Sequence, residues 1–383
     1  MRILQVVTFI SPDGAYGGPV RVAVNQAKAL TALGHDVVVA AAADGFEGSL
    51  PAEFDGFSVR LFPARKLVPK VGFAGLTSPG LLHWLTHAIQ AADVVHVHLA
   101  RDLVSLPAAA IALLAGKPLV VQTHGMIDRT NKKLAVPLDR LLTRPILRRA
   151  IQVLYLTDRE RQDLVHVAGE QLALMHLPNG VTVPDTQAIE QIEGVQKSPE
   201  VLFLARLHSR KRPLYFARAA VTLARRWPHA SFSIVGPDEG EGAAVTAAIA
   251  EKHPHAPISW SGSMEPARTL ARMGCASVYA LPSTDEPFPM AVLEAMSIGV
   301  PVVVTQSCGL APFVVEHQAG VVCDHSQESL NEALEKLLAN PELRITMGTN
   351  ARAAVQKSHS MHMVASRLLQ SYGDAMRQME SRT

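Results

Sequence analysis

The stretch SVYALPSTDEPFPMAVLEAMSIGVPVVVT, residues 277–305, contains a complete strand, helix and strand pattern. Its apolar start, residues 277–280, predicts a buried strand, and the proline-rich turn that follows leads into a helix over residues 289–298. Gly299 ends that helix, and the β-branched run 300–304 predicts the next strand. Strands joined through a helix in this way lie parallel, so the stretch favours an α/β fold.

The same alternation of strands and helices runs along the whole chain in two series. The strands of the first series are predicted at residues 3–8, 37–42, 58–62, 94–97, 119–122 and 153–156. Its helices are predicted at residues 19–33, 79–90, 103–115, 133–149 and 158–168. The second series has strands at residues 201–204, 232–235, 258–260, 277–280, 300–304 and 320–323, and the chain ends with helices at 327–338, 341–356 and 361–380.

Two such series predict two Rossmann-like, doubly wound domains. We place the first at residues 1–181 and the second at 200–358. Residues 182–199 are polar without an apolar period, which is typical of a linker. The last segment, 359–383, is expected to form a helix that packs back on the first domain. Open α/β sheets bind ligands at the carboxyl ends of their strands, so we expect a cleft between the domains and functional residues on strand-end loops.

Composition and charge exclude several classes of protein. Among 383 residues, 48% are hydrophobic and 18% are charged, which is typical of a folded globular chain and not of a disordered one. A net charge of +2 gives no general argument for binding nucleic acid. The chain has three cysteines, at 275, 308 and 323, without a Cys-x-x-Cys pair, and no apolar run long enough to cross a bilayer. We therefore expect a cytoplasmic protein.

A candidate ligand site lies in residues 285–296, where a strand turns into a helix. A helix start presents free N–H groups and partial positive charge, which suits a phosphate or a sugar diphosphate. Glu286 precedes the helix and Glu294 lies inside it, so the two carboxylates can contact different ends of one extended ligand. The alternative is a capping acid and a solvated helix residue.

The second candidate site is the basic segment 203–213, directly after the first strand of the second series. A departing diphosphate needs positive charge, and no Asp-x-Asp pair is present to hold a divalent metal. Arg206 and Lys211 are therefore the candidate neutralising groups, because arginine can grip two phosphate oxygens and lysine supplies a mobile charge. The alternative is an exposed basic turn.

In the first half, Gly17 and Gly18 lie between a strand and its helix, where glycine lets the backbone approach a ligand closely. A plain tight turn explains them equally well. His124 follows the predicted strand 119–122, which places it at the same edge of the sheet; a structural histidine is the alternative. Neither half carries the Gly-x-Gly-x-x-Gly pattern followed by a ribose-binding acid, which argues against a dehydrogenase.

Several short motifs in this order resemble the family 4 glycosyltransferases over nearly the whole chain. They are Gly17-Gly18, Thr123-His124-Gly125-Met126, Pro178-Asn179-Gly180-Val181, Ala205-Arg206-Leu207 with Lys211, Val235-Gly236-Pro237, and Glu286 with Glu294. Ala205 and Pro289 stand where many members have glycine. The resemblance implies a retaining, metal-independent enzyme of the GT-B fold, with a nucleotide diphosphate sugar of UDP or GDP as donor and no cofactor.

The resemblance also implies a role for individual residues. Arg206 and Lys211 would hold the diphosphate, Glu294 the ribose and Glu286 the hydroxyls of the donor sugar. The other residues implied in donor binding are Gly17, Gly18, Gly236, Trp260, Gly262, Phe288, Pro289 and Met290. His124 would lie beside the donor sugar as a catalytic residue, and Asp128, Arg129 and His98 are assigned to the acceptor side.

Two further features lead to separate expectations. His83 with His87, and His96 with His98, share faces of predicted elements, but a third ligand is missing and we expect no metal site. Residues 129–149 carry seven cations against one acid, with interleaved leucines, as in helices that lie on anionic membranes. Pro137 and Pro145 are expected to break or kink that helix. Contact with the inner face of the membrane would suit a lipid-linked acceptor.

The sequence thus predicts a retaining glycosyltransferase that moves a hexose-type sugar from a nucleotide diphosphate to a saccharide or lipid-linked saccharide. The products would enter polysaccharide or glycoconjugate assembly. One alternative is a sugar-nucleotide epimerase of related fold, which would use the same diphosphate clamp. The other is a binding subunit that keeps the nucleotide pocket and has lost turnover.

Overall fold

The computed structural model describes residues 1–12, 17–68, 72–130, 135–184, 198–250 and 257–381. The chain forms two compact units, one made of Met1–Gly180 with Met361–Thr383, the other of Val181–Ser360. Most of the predicted linker, residues 185–197, lies outside the described residues. Within the second unit, Val181 pairs with Ser360 in an isolated parallel bridge, so the segments where the chain enters and leaves this unit lie side by side.

The first unit is built on an eight-stranded sheet in the order β10-β9-β8-β7-β1-β2-β4-β3. The strands of this unit are β1 (Arg2–Ile10), β2 (Asp36–Ala43), β3 (Glu53–Phe54), β4 (Phe57–Pro63), β5 (Arg65–Lys66), β6 (Leu76–Thr77), β7 (Val94–His98), β8 (Leu119–Gln122), β9 (Gln152–Tyr155) and β10 (Leu174–His176). All neighbours in the sheet pair parallel except β3 and β4, while β5 and β6 form a separate antiparallel ladder. The strand order reverses direction between β1 and β7.

Helices cover the first sheet and bury its apolar side chains. They are Gly17–Ala32, Pro79–Ala91, Ser105–Leu114, Ala135–Leu138, Arg144–Arg149, Asp158–Ala168 and Met361–Glu380. The last of them buries Val364, Leu368 and Tyr372 in a cluster that includes Ile3 of β1 and Leu30 of the first helix. The C-terminal helix therefore belongs to the core of the first unit, although it follows the second unit in sequence.

The second unit contains a six-stranded parallel sheet in the order β13-β12-β11-β14-β15-β16. Its strands are β11 (Glu200–Leu204), β12 (Ser231–Val235), β13 (Ile258–Trp260), β14 (Val278–Leu281), β15 (Val302–Thr305) and β16 (Gly320–Cys323). Its helices are Pro213–Ala224, Gly242–Ala250, Thr269–Gly274, Met290–Ser297, Ala311–Glu316, Gln327–Ala339 and Pro341–Ser358. This order is that of the Rossmann fold, in which ligands bind outside the strand ends where the order reverses, here between β11 and β14.

The predicted fold class is confirmed, and every predicted strand matches an observed strand to within two residues at each end. Strands β3, β5, β6 and β10 were not predicted. Pro137 and Pro145 were expected to break or kink this helix. The described residues from Ala135 to Arg149 stay helical without a break, but the helix is distorted by one π turn at Asp139–Thr143. The N–H of Arg144 bonds to the carbonyl of Asp139, five residues back. This wider turn accommodates the proline that follows it.

Candidate functional site

The loops after β11 and β14 form the centre of the site in the second unit. The two strands are parallel neighbours, with Val201 opposite Val278 and Leu202 opposite Tyr279, so their carboxyl ends meet at one edge of the sheet. The N–H of Thr284 donates to the carbonyl of Arg210 at 2.8 Å, which ties one loop to the other. The basic segment and the Glu286 turn, about 75 residues apart in sequence, are thereby brought together.

Lys211 and Glu286 form a close ion pair at this edge. The Nζ of Lys211 donates to Oε2 of Glu286 at 2.6 Å, and the two side chains are only 14% and 10% exposed. The Nε of Arg210 lies 3.7 Å from the same oxygen. The Gly309 N–H donates to the carbonyl of Glu286 at 2.8 Å and fixes its backbone. The pair therefore presents a cation and an acceptor at fixed positions.

Arg206, from the same loop as Lys211, is directed differently. Its Nη1 donates to the two carboxylate oxygens of Glu239 at 2.7 and 3.0 Å, and the arginine side chain is 58% exposed. Glu239 lies in the loop after β12. This loop is held next to the loop that carries Arg206, because the N–H of Leu207 donates to the carbonyl of Pro237. The guanidinium thus remains accessible to an anion from solvent.

Tyr279 is a buried residue of β14 that is influenced by the charges of the two predicted carboxylates. Its hydroxyl donates to the carbonyl of Leu204 at the end of β11, at 3.0 Å. Burial raises the pKa of Tyr279 well above its usual value, and the negative charges of Glu294 and Glu286 raise it further. Glu294 is half-buried in the helix Met290–Ser297. Both carboxylates therefore lie near the ends of β11 and β14.

The residues predicted to border the base are also neighbours. The Gly236 N–H donates to the carbonyl of Gly262 at 2.7 Å, and Nε1 of Trp260 donates to the carbonyl of Gly236 at 3.0 Å. Gly236 has a φ of +148°, and a Cβ there would lie 1.9 Å from the carbonyl oxygen of Ala205. Only glycine fits this position, which lies directly beside the loop that carries Arg206.

The Pro-Phe-Pro segment leads from Glu286 into the helix. Pro289 is buried at the position before Met290, the first helical residue. The ring of Phe288 lies 6.0 Å from that of His359, measured between centroids. The backbone of Pro287 passes so close to Gly309 that a Cβ on this glycine would lie 1.8 Å from the Pro287 carbonyl oxygen.

In the first unit, His124 occupies a strained turn after β8. Its φ is +51°, and it is half-buried. The buried carboxylate of Glu160 accepts hydrogen bonds from the Thr123 hydroxyl, from the Gly125 N–H at 2.6 Å and from the Leu156 N–H at 2.6 Å. Glu160 therefore holds both sides of the turn, and with it the position of the His124 side chain.

His98, expected to line the acceptor side, is instead buried next to His124. Its Nδ1 lies 2.7 Å from Nε2 of His124, and the side chain is 1% exposed. Burial lowers the pKa of His124 to about 3 and holds the pKa of His98 well below its usual value, with a further decrease from the neighbouring His96 and His124. Both imidazoles are therefore neutral near pH 7.

The other predicted residues of the first unit have identifiable neighbours. Asp128 accepts from Nη1 of Arg101 at 3.0 Å, and Arg129 forms an ion pair with Asp163 at 3.4 Å. Both lie on the surface. Gly17 and Gly18 form the first turn of the helix Gly17–Ala32, whereas the helix was predicted to begin at residue 19. The space beside Gly18 is open, since a Cβ at this position would contact no atom of the described residues within 4 Å.

Sequence reasoning missed several residues that position the site. They are Arg101, Glu160, Glu239, Tyr279, Gly309 and Tyr372. Only Glu160 has a local signal, because Thr157-x-x-Glu160 is the pattern of a capping box. A capping box predicts that the Glu160 carboxylate bonds to the backbone at the start of its own helix. In the structure the carboxylate also accepts hydrogen bonds from the turn at His124.

Neither a metal site nor a membrane span is evident in the described part of the chain. No group of three His, Cys, Asp or Glu side chains there is arranged to hold a metal ion. The rings of His83 and His87 lie 5.6 Å apart, as their shared helix face predicts. None of the helices described combines the length and hydropathy that crossing a bilayer requires.

Models of known protein families match both units. The model for glycosyl transferases group 1 matches residues 185–354, and the model for a glycosyl transferase 4-like domain matches residues 17–180. The chain is a glycosyltransferase of the family 4-like group. This assignment supports the predicted glycosyltransferase activity and not the alternative of an epimerase.

Individual relatives of this glycosyltransferase agree with the assignment. It is 29% identical over 340 residues to a D-inositol 3-phosphate glycosyltransferase of Kineococcus radiotolerans, a match that covers 79% of this chain and 78% of the relative. It is 28% identical over 253 residues to a GDP-mannose-dependent alpha-(1-6)-phosphatidylinositol monomannoside mannosyltransferase of Mycolicibacterium smegmatis, covering 61% of this chain and 64% of that one. The structure of HepE from Anabaena in complex with UDP superposes with a TM-score of 0.72 at 18% identity, covering 97% and 100% of the two chains. The fold is therefore GT-B.

Proposed function

We propose that the glycosyltransferase transfers a hexose-type sugar, with retention of configuration and without a metal ion, from a nucleotide diphosphate sugar to a saccharide or lipid-linked saccharide. One observation carries this proposal. Arg206, Lys211 and Glu286 lie on the loops after β11 and β14, at the point where the strand order of the second sheet reverses. In Rossmann-like sheets, that edge is where nucleotides bind.

The donor would be held by complementary groups of the second unit. The exposed guanidinium of Arg206 and the ammonium of Lys211 would bind the diphosphate and stabilise the charge that develops as it departs. Glu286 would accept hydrogen bonds from hydroxyls of the sugar, and Glu294 would accept them from hydroxyls of the ribose. Phe288, Pro289 and Met290 would border the sugar, and Gly236, Trp260 and Gly262 would border the base.

The first unit would supply groups to the sugar and the acceptor. His124 would contact the donor sugar, while Asp128 and Arg129 would face the acceptor from the surface. Gly17 and Gly18, at the start of a helix, would let a ligand approach the backbone closely. The name of one relative gives D-inositol 3-phosphate and that of the other gives a phosphatidylinositol monomannoside, and we extend inositol-containing acceptors to the present chain.

A screen of donors by thermal unfolding tests the donor proposal. We expect either UDP or GDP, and sugars activated by it, to stabilise the protein by about 2.7 kcal/mol at 100 times the dissociation constant. The shift should persist in EDTA, because protein cations supply the charge. Failure of both nucleotides, or a shift that requires a divalent metal, would contradict the proposal. The anomeric configuration of the product, read by NMR, tests retention.

We also propose that residues 135–149 contact an anionic membrane surface. In this helix Val136 and Leu141 are exposed, and Arg140 and Arg144 are exposed beside them. The only acid of the segment, Asp139, is buried and bound to Nε of Arg101 at 2.8 Å, so its charge is compensated. Exposed leucine and valine among arginines is the composition of helices that lie at lipid interfaces.

Vesicle sedimentation tests this surface. We expect binding to phosphatidylglycerol-containing vesicles that weakens at high salt, and weak binding to phosphatidylcholine vesicles. Leu141→Glu should reduce the bound fraction about fivefold or more, the effect of losing roughly 1 kcal/mol. Ile345→Glu is a matched control, since Ile345 is 70% exposed on a helix of the other unit and Leu141 is 71% exposed. Equal losses in the two variants would refute the assignment.

A further inference from the structure

Three histidines and a tyrosine form a connected array within the first unit. His124 follows β8, His98 and His96 lie on β7, and Tyr372 comes from the C-terminal helix. His98 contacts His124 through ring nitrogens, the rings of His96 and His98 lie 4.6 Å apart, and Nδ1 of His96 lies 2.7 Å from the hydroxyl oxygen of Tyr372. The array joins the predicted sugar-contacting histidine to the core of the unit.

The contact between His98 and His124 is an in-plane hydrogen bond. The two nitrogens are 2.7 Å apart, the ring centroids are 5.0 Å apart, and the ring planes differ by 8°. Nearly coplanar rings at this separation meet edge to edge. A neutral imidazole has one N–H donor and one lone pair, so the bond needs a donor on one ring and an acceptor on the other.

Burial keeps the rings of this array uncharged near neutral pH. The pKa of His96 is lowered to about 3, mainly by burial and also by the neighbouring His124, and the pKa of His124 is lowered to about 3 by burial. Burial also holds the pKa of His98 well below its usual value. Both rings are therefore neutral near pH 7, and the direction of the bond depends on which nitrogen of each ring carries the proton.

The other nitrogen of His98 decides the direction. Its Nε2 is buried and has no hydrogen-bond partner among the residues described. If the proton is on Nε2, a buried N–H donor has no acceptor. If the proton is on Nδ1, Nε2 has only a buried lone pair without a donor. Buried N–H groups without an acceptor are rarer in proteins than acceptors without a donor. His98 must then carry its proton on Nδ1.

We propose that His98 donates its Nδ1–H to Nε2 of His124 and thereby fixes His124 as the Nδ1–H tautomer. His124 consequently offers a hydrogen-bond donor, not an acceptor, from its remaining nitrogen. His98 is a positioning residue: it sets which atom of His124 carries the proton, while Glu160 sets the backbone of the turn. That His124 uses this donor toward a sugar hydroxyl rests on the proposed function, but the tautomer does not.

His96 links this bond to the C-terminal helix. Its Nδ1 lies 2.7 Å from the hydroxyl oxygen of Tyr372, and its Nε2 is buried without a partner in the described residues. Because a tyrosine hydroxyl can donate or accept, this contact forms with either tautomer of His96. Tyr372 orients His96, whose ring packs against His98.

NMR on the unmutated chain tests the tautomer directly. With 15N-labelled histidine, long-range correlations distinguish a protonated from an unprotonated ring nitrogen, and the loss of one set of signals in His124→Gln assigns His124. We expect protonated Nδ1 and unprotonated Nε2 for both His124 and His98 at pH 7. A proton on Nε2 of His124 would overturn the proposal, whether or not transferase activity has been found.

Variants at position 98 test the positioning role. An asparagine amide can donate from nearly the position of Nδ1, whereas leucine cannot. His98→Leu should give mixed tautomers of His124 and a kcat about 10-fold lower, the order expected for one lost hydrogen bond, with a smaller change in KM. His98→Asn should retain the Nδ1–H signal and kcat within about threefold.

The exposed His362→Leu on the C-terminal helix is the control and should match the unmutated chain. If His98→Asn loses as much kcat as His98→Leu, a donor at this position is not what matters, and the proposal fails. If His98→Leu does not fold, the NMR measurement on the unmutated chain still decides the direction of the bond.

Discussion

Arg206→Ala is expected to lower kcat/KM by about 10²–10³ while the fold stays intact. The guanidinium is mostly exposed and pairs with Glu239, which is itself partly exposed, so the ion pair adds little to stability. We expect the free energy of unfolding to change by no more than about 0.5 kcal/mol. The kinetic loss is large because the group would act on charge that develops only as the diphosphate departs. Initial rates and urea unfolding measure the two effects separately.

Arg226→Ala provides the matched control for this experiment. Arg226 is exposed in the same unit and donates Nη1 to both oxygens of Glu335, at 3.0 Å each, as Arg206 does to Glu239. It lies away from the loops after β11 and β14, so its removal should leave kcat/KM unchanged. Wild-type rates in Arg206→Ala, or the same loss in Arg226→Ala, would refute the diphosphate clamp.

Lys211 belongs to the same clamp but is bound differently. Its removal should cause a similar kinetic loss and also lower stability by about 1–3 kcal/mol, because Glu286 would be left as a nearly buried carboxylate. Arg210, at 3.7 Å, compensates only in part. Adding Glu286→Gln to Lys211→Ala should restore stability and not activity, since the neutral amide no longer needs a cation.

The sequence predicts those parts of the site that are continuous in the chain. Arg206 with Lys211, and Glu286 with Glu294, each lie on one strand-end segment, and the alternation of strands and helices places both segments at the same edge of one sheet. Because parallel strands end together, the meeting of Lys211 with Glu286 follows from topology. The short motifs around them could therefore be assigned before the structure was known.

Residues that act across long sequence separations could not be predicted in this way. Tyr372 reaches His96 from 276 positions away, in a helix whose apolar period indicates burial but not its partner. Glu160 resembles an ordinary capping residue, and its bonds to the turn at His124 depend on how two strands pack. The two-residue strands β5 and β6 are too short to show a period.

The proline-containing helix is distorted but not broken, and the reason lies outside local sequence. Local propensity treats Pro145 as a breaker, since it lacks an N–H and its ring clashes with the preceding turn. The chain instead widens to a π turn just before Pro145 and keeps its apolar side chains Ile146 and Leu147 buried. Tertiary burial thus outweighs the loss of one helical hydrogen bond.

Gly236→Ala is expected to destabilise the second unit by about 2–4 kcal/mol and to weaken donor binding at least about tenfold. Its Cβ would lie 1.9 Å from the Ala205 carbonyl oxygen and 2.6 Å from the carbonyl carbon, and both belong to backbone that cannot rotate away. The loop must therefore shift directly before Arg206, and the bond from Trp260 to the Gly236 carbonyl shifts with it. Urea unfolding and calorimetric titration with UDP or GDP measure both effects.

Gly262→Ala separates the effect of this close approach from that of backbone conformation alone. Gly262 also has a positive φ, +73°, but a Cβ there would contact no atom of the described residues within 4 Å. Its replacement should cost only the strain of a left-handed alanine, about 1 kcal/mol. Equal losses of stability in the two variants would show that conformation alone requires glycine at 236. A clearly larger loss for Gly236→Ala, together with weaker donor binding, would mean that the contact with Ala205 sets the position of the loop that carries Arg206.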